Sequence, residues 1–248
     1  MIVRPLGALL VFVLLAAAGG GVAAGRTDRA RKAETIVVGR SVQGRSIRAI
    51  DVGPDSDNGP NLLIVGCIHG NEPAGIAIAR NLIANPPPHT ADLWVVPNLN
   101  PDGTAAGTRQ NAHRVDLNRN FPWHWRRLGR PGDQQFSGPR ALSEPESRFA
   151  YRLIRRLRPR ITIWFHQPLD LVDESGGNPT IERKFAQLAG LRFGRLPRYP
   201  GSASSWQNHT IAGTAAFVVE LPSGRLSAPR ARQLAEAVLD LTGESPTT

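Results

Sequence analysis

Cysteine, lysine and tyrosine are nearly missing from this chain of 248 residues. Cys67 is the single cysteine, so no disulfide can close within the chain, and its distance from the N-terminus rules out lipid attachment at a leader cysteine. Lying in an apolar run, it reads as a small buried hydrophobe. Lys32 and Lys184 are the only lysines, so arginine carries nearly all of a formal charge of +10. Such a field favours anionic partners such as wall polymers or carboxylate-rich peptides. Aromatic residues are only 6% of the chain and do not interleave with arginine clusters such as Arg152-Leu-Ile-Arg-Arg-Leu-Arg158, which argues against a nucleic-acid surface. That cluster falls on the polar side of a helical pattern and reads as a solvated face.

Long apolar runs are equally scarce. Met1-Ile-Val-Arg4, the apolar stretch from Leu6 to Ala18 and Val22-Ala-Ala24 together have the form of a secretory leader cleaved after Ala24. A retained anchor is the alternative, since the run approaches the roughly 20 residues that span a bilayer. Cleavage leaves residues 25–248 as one domain, with no repeat, interdomain linker or further spanning segment. It also places the protein outside the cytoplasm, secreted or in the cell envelope, without stable membrane association; a monomer is expected.

Against this background stands His69-Gly-Asn-Glu72, which follows the apolar run Leu62 to Ile68 and precedes a helical pattern from Pro73 to Ala84. On a strand, residues three apart face opposite ways, so His69 and Glu72 can share a ligand only where the strand gives way to a turn. Gly70 and Pro73 supply that break. Imidazole with carboxylate suits Zn²⁺, which in catalytic sites takes three protein ligands and keeps a position open. Two further runs end in polar groups: Ile161-Thr-Ile-Trp-Phe-His166 and Thr214-Ala-Ala-Phe-Val-Val-Glu220. Open α/β sheets build their sites at this edge.

The layout is α/β, a three-layer α/β/α arrangement with a mixed, largely parallel twisted sheet. A strand pair is expected around Glu34 to Val38 and Ser46 to Val52, a turn over 53–59, and a strand from Asp92 to Pro97. Residues 98–140 have little periodicity and much Gly, Pro, Asn and Arg; a loop that long in a compact domain is usually functional. Ser143-Glu-Pro-Glu146 has the form of a capping box starting a helix that runs to Leu157. Further helices are expected from Ile181 to Ala189 and from a Ser227 cap to Leu241.

With Asn98-Leu-Asn-Pro-Asp-Gly103, Gly107-Thr-Arg109 and Val115-Asp-Leu-Asn-Arg-Asn-Phe-Pro122 added in order, the chain resembles the zinc carboxypeptidases of the carboxypeptidase A family. The likeness is strongest to the bacterial branch of murein peptide amidases and γ-D-glutamyl-diaminopimelate carboxypeptidases, and spans Val38 to Pro222. It implies His69, Glu72 and His166 as ligands of one zinc ion per chain, and Glu220 as general base and proton shuttle. It implies Arg109 as the group that polarises the scissile carbonyl, and Asn118 with Arg119 as the clamp on the substrate's terminal carboxylate, a task suited to a guanidinium fork. Tyr199 matches the family's mobile phenol. In one departure Arg114 stands where the branch carries glycine, a costly choice if that position needs positive φ; the residues after His166 differ as well.

The resemblance implies hydrolysis of a peptide amide beside a terminal carboxylate, with peptidoglycan stem peptides as the expected substrate and the γ-D-glutamyl–diaminopimelate bond as the expected target. The residues expected at the floor of the side-chain pocket, Ala203 to Ser205, are small and carry no acid to select a terminal lysine or arginine. A general carboxypeptidase, an N-acyl amino acid deacylase and a non-catalytic wall-peptide binding module are the alternatives.

Overall fold

A computed structural model describes residues 34–53, 62–86 and 92–241. The leader expected over 1–24 and most of the turn expected over 53–59 lie outside the described residues. The described residues begin with the hairpin β1 (Glu34–Arg40) and β2 (Ser46–Asp51), then β3 (Leu62–Val65), α1 (Gly75–Ala84) and β4 (Leu93–Val96). After α2 (Pro101–Ala106) and a 3₁₀ turn at Leu117–Arg119 come α3 (Pro145–Leu157), β5 (Ile161–His166) and β6 (Leu169–Asp173). The last elements are α4 (Pro179–Ala189), β7 (Arg192–Gly194), α5 (Ala203–Thr210), β8 (Ala215–Pro222) and α6 (Ala228–Asp240). None of these helices is long and apolar enough to cross a membrane.

The strands form one sheet in the order β1-β2-β4-β3-β5-β8-β6-β7. Its centre, β4-β3-β5-β8, is parallel. Antiparallel pairings of β1 with β2, β2 with β4 and β6 with β8 make the sheet mixed. The chain moves outward to β4 after β3 and to the opposite side with β5 and β8, so the order reverses between β3 and β5. A crevice opens at the carboxyl ends of strands flanking such a reversal.

Strand alternation sorts side chains into two cores. Leu62, Ile64, Ile163, Phe165, Phe217 and Val219 meet α1, α4 and α6 on one face. Leu63, Val65, Trp164 and Val218 meet α3 and α5 on the other. With a side-chain period of two, His166 follows Trp164 and Glu220 follows Val218 onto that second face, and the two residues are direct partners in the β5–β8 ladder.

Several expectations shift. The long segment 98–140 contains α2, capped by the Asn100 side chain accepting from Gly103 N, and the 3₁₀ turn, where the Asp116 side chain accepts from Asn118 N. β6, β7 and α5 were not legible. Ser143 is not the cap of α3: Glu144 occupies that position without a side-chain bond to the helix, and Pro145 begins the helix one residue later. α4 starts at Pro179 rather than Ile181, because Asn178 accepts from Thr180 N and Ile181 N. Ser227 does cap α6, accepting from Arg230 N.

Candidate active site

Two glycines bring the polar motifs together. A methyl group on Gly70 would stand 1.9 Å from the carbonyl carbon of Gly103, and one on Gly103 would stand 2.5 Å from Asn100 Nδ2. The turn carrying His69 and Glu72 thus rests directly on the backbone of α2. Asn100 locks the contact by donating to the carbonyls of Ile68 (3.1 Å) and Arg109 (3.2 Å). Asp102 ties α2 to the first hairpin, accepting from Ser41 Oγ at 2.8 Å and Gln43 N at 2.9 Å.

His69, Glu72 and His166 converge, all three buried, with one ligand atom from each lying within 4.8 Å of the others. Glu72 Oε2 is 2.9 Å from Nδ1 of each histidine, and the two Nδ1 atoms are 3.1 Å apart. Asp116 Oδ1 lies 3.0 Å from His69 Nε2. The Asp116 carboxylate accepts only, so Nε2 carries the hydrogen and Nδ1 turns a lone pair to the cluster. Burial pushes the Asp116 carboxyl up, but His69, Arg109 and Arg119 outweigh it and hold the group ionised far below the usual carboxylate range. Burial opposes a charge on His69, yet Asp116 and Glu72 shift it toward the cation. A field of two buried carboxylates that favours a proton there equally favours a divalent cation among the same lone pairs. The donor set therefore fits zinc.

Arg109 donates from Nη1 to Glu72 Oε1 (2.9 Å) and from Nε to Asp116 Oδ2 (3.0 Å). It spans the acids flanking the histidine cluster. Gln167 braces the other side: its N–H reaches Glu72 Oε2 at 3.3 Å, and its side chain links Ala74 N to the carbonyls of Pro222 and Gly224. Cys67 donates to the His69 carbonyl at 3.1 Å, and burial pushes its thiol up to about 12. It is a buried packing group.

A cleft of about 310 Å³ opens beside the cluster, lined by His69, Glu72, Arg109, Asn118, Arg119, His166, Tyr199 and Glu220 among others. Every residue singled out in the sequence as a metal ligand, catalytic group or carboxylate clamp thus borders one cavity. Two buried polar atoms in its walls have no partner among the described residues, Glu220 Oε2 and Arg119 Nε. They are opposite in character, an acceptor and a charged donor. Burial, with Glu72 adding to it and His166 opposing, raises the Glu220 carboxyl above its ordinary value. The Arg119 guanidinium lies 4.1 Å over the Tyr199 ring. Asn118 accepts from Ala203 N at 2.9 Å, joining the 3₁₀ turn to α5.

This chain belongs to the zinc carboxypeptidase family. The family model (Peptidase_M14) matches residues 26–172, more than half of the chain. Murein peptide amidase A of Vibrio campbellii is 31% identical over 216 residues, covering 79% of this chain and 83% of that protein. The structure of murein-tripeptide amidase MpaA from Escherichia coli O157 superposes with a TM-score of 0.70 at 26% identity, covering 86% of this chain and 93% of that one. Carboxypeptidase A from Helicoverpa armigera shares the fold, with a TM-score of 0.72 at 20% identity over 85% of this chain and 67% of that one. The protein is accordingly a zinc metallopeptidase, and zinc is the metal the histidine–glutamate cluster is built to take.

Sequence reasoning missed Asp116. Its signal was present, an acid inside Val115-Asp-Leu-Asn-Arg119, but its histidine partner is 47 residues away in sequence. The expected pocket floor also changes. Ser204 and Ser205 line the cleft and Ser202 takes the place of Ala203, while an acid, Asp173, enters the wall from β6. Arg114 has φ of 60°, the left-handed geometry glycine would serve, and lies outside the cleft lining.

Proposed function

We propose that the protein is an exported peptidase that removes the terminal residue of peptidoglycan stem peptides by cutting the γ-D-glutamyl–diaminopimelate amide. The observation that carries this reading is the pair of unpartnered buried atoms, Arg119 Nε and Glu220 Oε2, in one cleft with the His69–Glu72–His166 cluster. A substrate carboxylate at Arg119 and a water at Glu220 would satisfy both. The Vibrio and Escherichia relatives, whose names place murein peptides as their substrates, support the wall-peptide half of the reading.

Zinc held by His69, Glu72 and His166 would supply Lewis-acid polarisation and acidify water. The chain's own groups do the rest. Asn118 and Arg119 hold the terminal carboxylate and so fix the register of the adjacent amide. Glu220, its basicity raised by burial, takes a proton from the water that attacks the carbonyl carbon. As the C–O bond forms and the C–N bond breaks, the same carboxyl returns the proton to the departing amine. Arg109 turns its guanidinium toward the carbonyl oxygen as negative charge develops there. Tyr199, stacked under Arg119, closes over the bound carboxylate.

The test is cleavage of L-Ala-γ-D-Glu-meso-diaminopimelate by the zinc-loaded protein, followed by mass spectrometry beside an ordinary C-terminal dipeptide. Release of diaminopimelate is expected, and Glu220→Gln should lower the rate at least about a hundredfold with zinc content unchanged. Cleavage of the ordinary peptide alone would replace the reading with a general carboxypeptidase. Zinc binding with neither peptide cut would favour a deacylase or a binding module.

A further inference from the structure

One ion pair in the cleft wall forms no bond to the metal cluster or to the carboxylate clamp. Asp173, the last residue of β6, is 3% exposed, so its charge must be met within the protein. Its Oδ1 accepts from Leu196 N at 2.7 Å, and its Oδ2 accepts from Ser175 Oγ and Arg198 Nη1, each at 2.7 Å. Arg198 also reaches the carbonyl of Leu196 from Nη1, at 3.2 Å, and the carbonyl of Glu174 from Nη2. Three of the five N–H donors of the guanidinium are thereby used. Among the described residues the hydrogen on Nε and the second on Nη2 remain, and 41% of the side chain is exposed. Both residues border the cleft, together with Ser202, Ser204 and Ser205.

The pairing has two consequences. Asp173 and the two carbonyls pin an otherwise flexible side chain, so the ordering cost of binding an anion is met before a ligand arrives. The Nε and Nη2 donors point from a rigid planar fork, a geometry suited to a carboxylate and unsuited to an ammonium group or an amide oxygen alone. Arg119 already answers the substrate's α-carboxylate. A second fixed guanidinium in the same cleft calls for a second acid on the same terminal residue.

We propose that Arg198, positioned by Asp173, determines specificity by binding a second carboxylate at the far end of the terminal residue's side chain. The substrate class is a peptide ending in a diacid such as diaminopimelate, with the serines of the wall facing the amino group beside that carboxylate. The inference rests on the peptidase reading above and deepens it.

The test uses zinc-loaded protein and two tripeptides, L-Ala-γ-D-Glu-meso-diaminopimelate and the same peptide with its distal carboxylate amidated. Wild type should prefer the free acid by about 10- to 100-fold in kcat/KM, the size of one charge-assisted hydrogen-bonded pair. The difference should lie mainly in KM. In Arg198→Gln the two peptides should be cut within about threefold of each other. A preference retained in Arg198→Gln, or wild type treating acid and amide alike, overturns the proposal. If Arg198→Gln fails to fold, as read from its melting temperature, Arg198→Lys is compared in the same way and should keep only part of the preference. Absence of any cleavage by wild type would instead sink the peptidase reading. Calorimetric binding of the same two peptides then decides the inference separately: discrimination that Arg198→Gln abolishes supports it, and equal binding overturns it.

Discussion

Gly70 and Gly103 meet backbone to backbone, with 1.9 Å between the place a Gly70 methyl would occupy and the Gly103 carbonyl carbon. Neither φ requires glycine here; the requirement is space. Because Gly70 lies between His69 and Glu72, that contact sets the height of both groups above the sheet edge. A side chain on either glycine would part the turn from α2 and break the Asn100 bonds to Ile68 and Arg109.

Gly70→Ala should therefore lower stability by about 3 kcal/mol, in the range of severe overpacking. Zinc per chain should fall to less than half of the wild-type value. Urea unfolding and metal analysis of purified protein check both. A stable variant with full zinc would show that the turn can rise without moving its side chains.

Asp116 fixes the tautomer of His69 and anchors Arg109. Asp116→Asn preserves the shape and removes the charge, so zinc affinity should weaken by about 10- to 100-fold, as for other carboxylates behind a ligating histidine. Competition against a chromophoric chelator measures the change. Affinity within about twofold of wild type would mean that His69 needs no acid behind it.

The contrast between His69 and Asp116 shows what was readable in the chain. His69, His166 and Glu220 each close an apolar run, so strand length and composition alone place them at one sheet edge. α1, α4 and α6 were visible through apolar periodicity and end signals, with errors of at most two residues. α5 was not, because Ala203-Ser-Ser205 has no apolar period and its first turn faces the cleft. β7, with three residues, is too short to signal itself. At Ser143 the pattern misled for a local reason: its hydroxyl bonds to Glu144 Oε1 at 2.6 Å and receives Asn120 Nδ2 at 3.0 Å, so it serves the loop instead of α3. Asp116, Asp173 and Arg198 derive their roles from partners distant in sequence, and no spacing rule reports those.

Arg114 holds left-handed backbone at φ 60° in the turn where its N–H meets the Asn111 carbonyl at 2.9 Å. A non-glycine residue there costs about 1–2 kcal/mol, part of which glycine gives back through the greater freedom of the unfolded chain. Arg114→Gly should thus stabilise the protein by about 0.5–1 kcal/mol. Peptide cleavage should be unchanged, since the side chain lies outside the cleft lining. Chemical denaturation and steady-state kinetics test the two halves, and a loss of activity in a stabilised variant would give Arg114 a role in substrate binding.

Glu182 offers a pH signature away from the metal. It is buried on α4, with Oε1 accepting from Gly177 N at 3.3 Å and Oε2 without a partner among the described residues. Burial pushes its carboxyl from 4.5 up to about 7; the Gly177 bond opposes the shift, and the charges of Asp173 and Glu174 add to it. The folded protein therefore holds a proton that the unfolded chain has released between about pH 4.5 and 7. More protons bound in the native state means that stability falls as pH rises, so this contribution is full below 4.5 and is lost through pH 7. Glu182→Gln removes the titration while keeping the size of the side chain. Relative to wild type, its urea midpoint should be higher at pH 8 than at pH 5. A difference between the two proteins that stays constant across that range would show that Glu182 is ionised throughout, with water or a local opening meeting its charge.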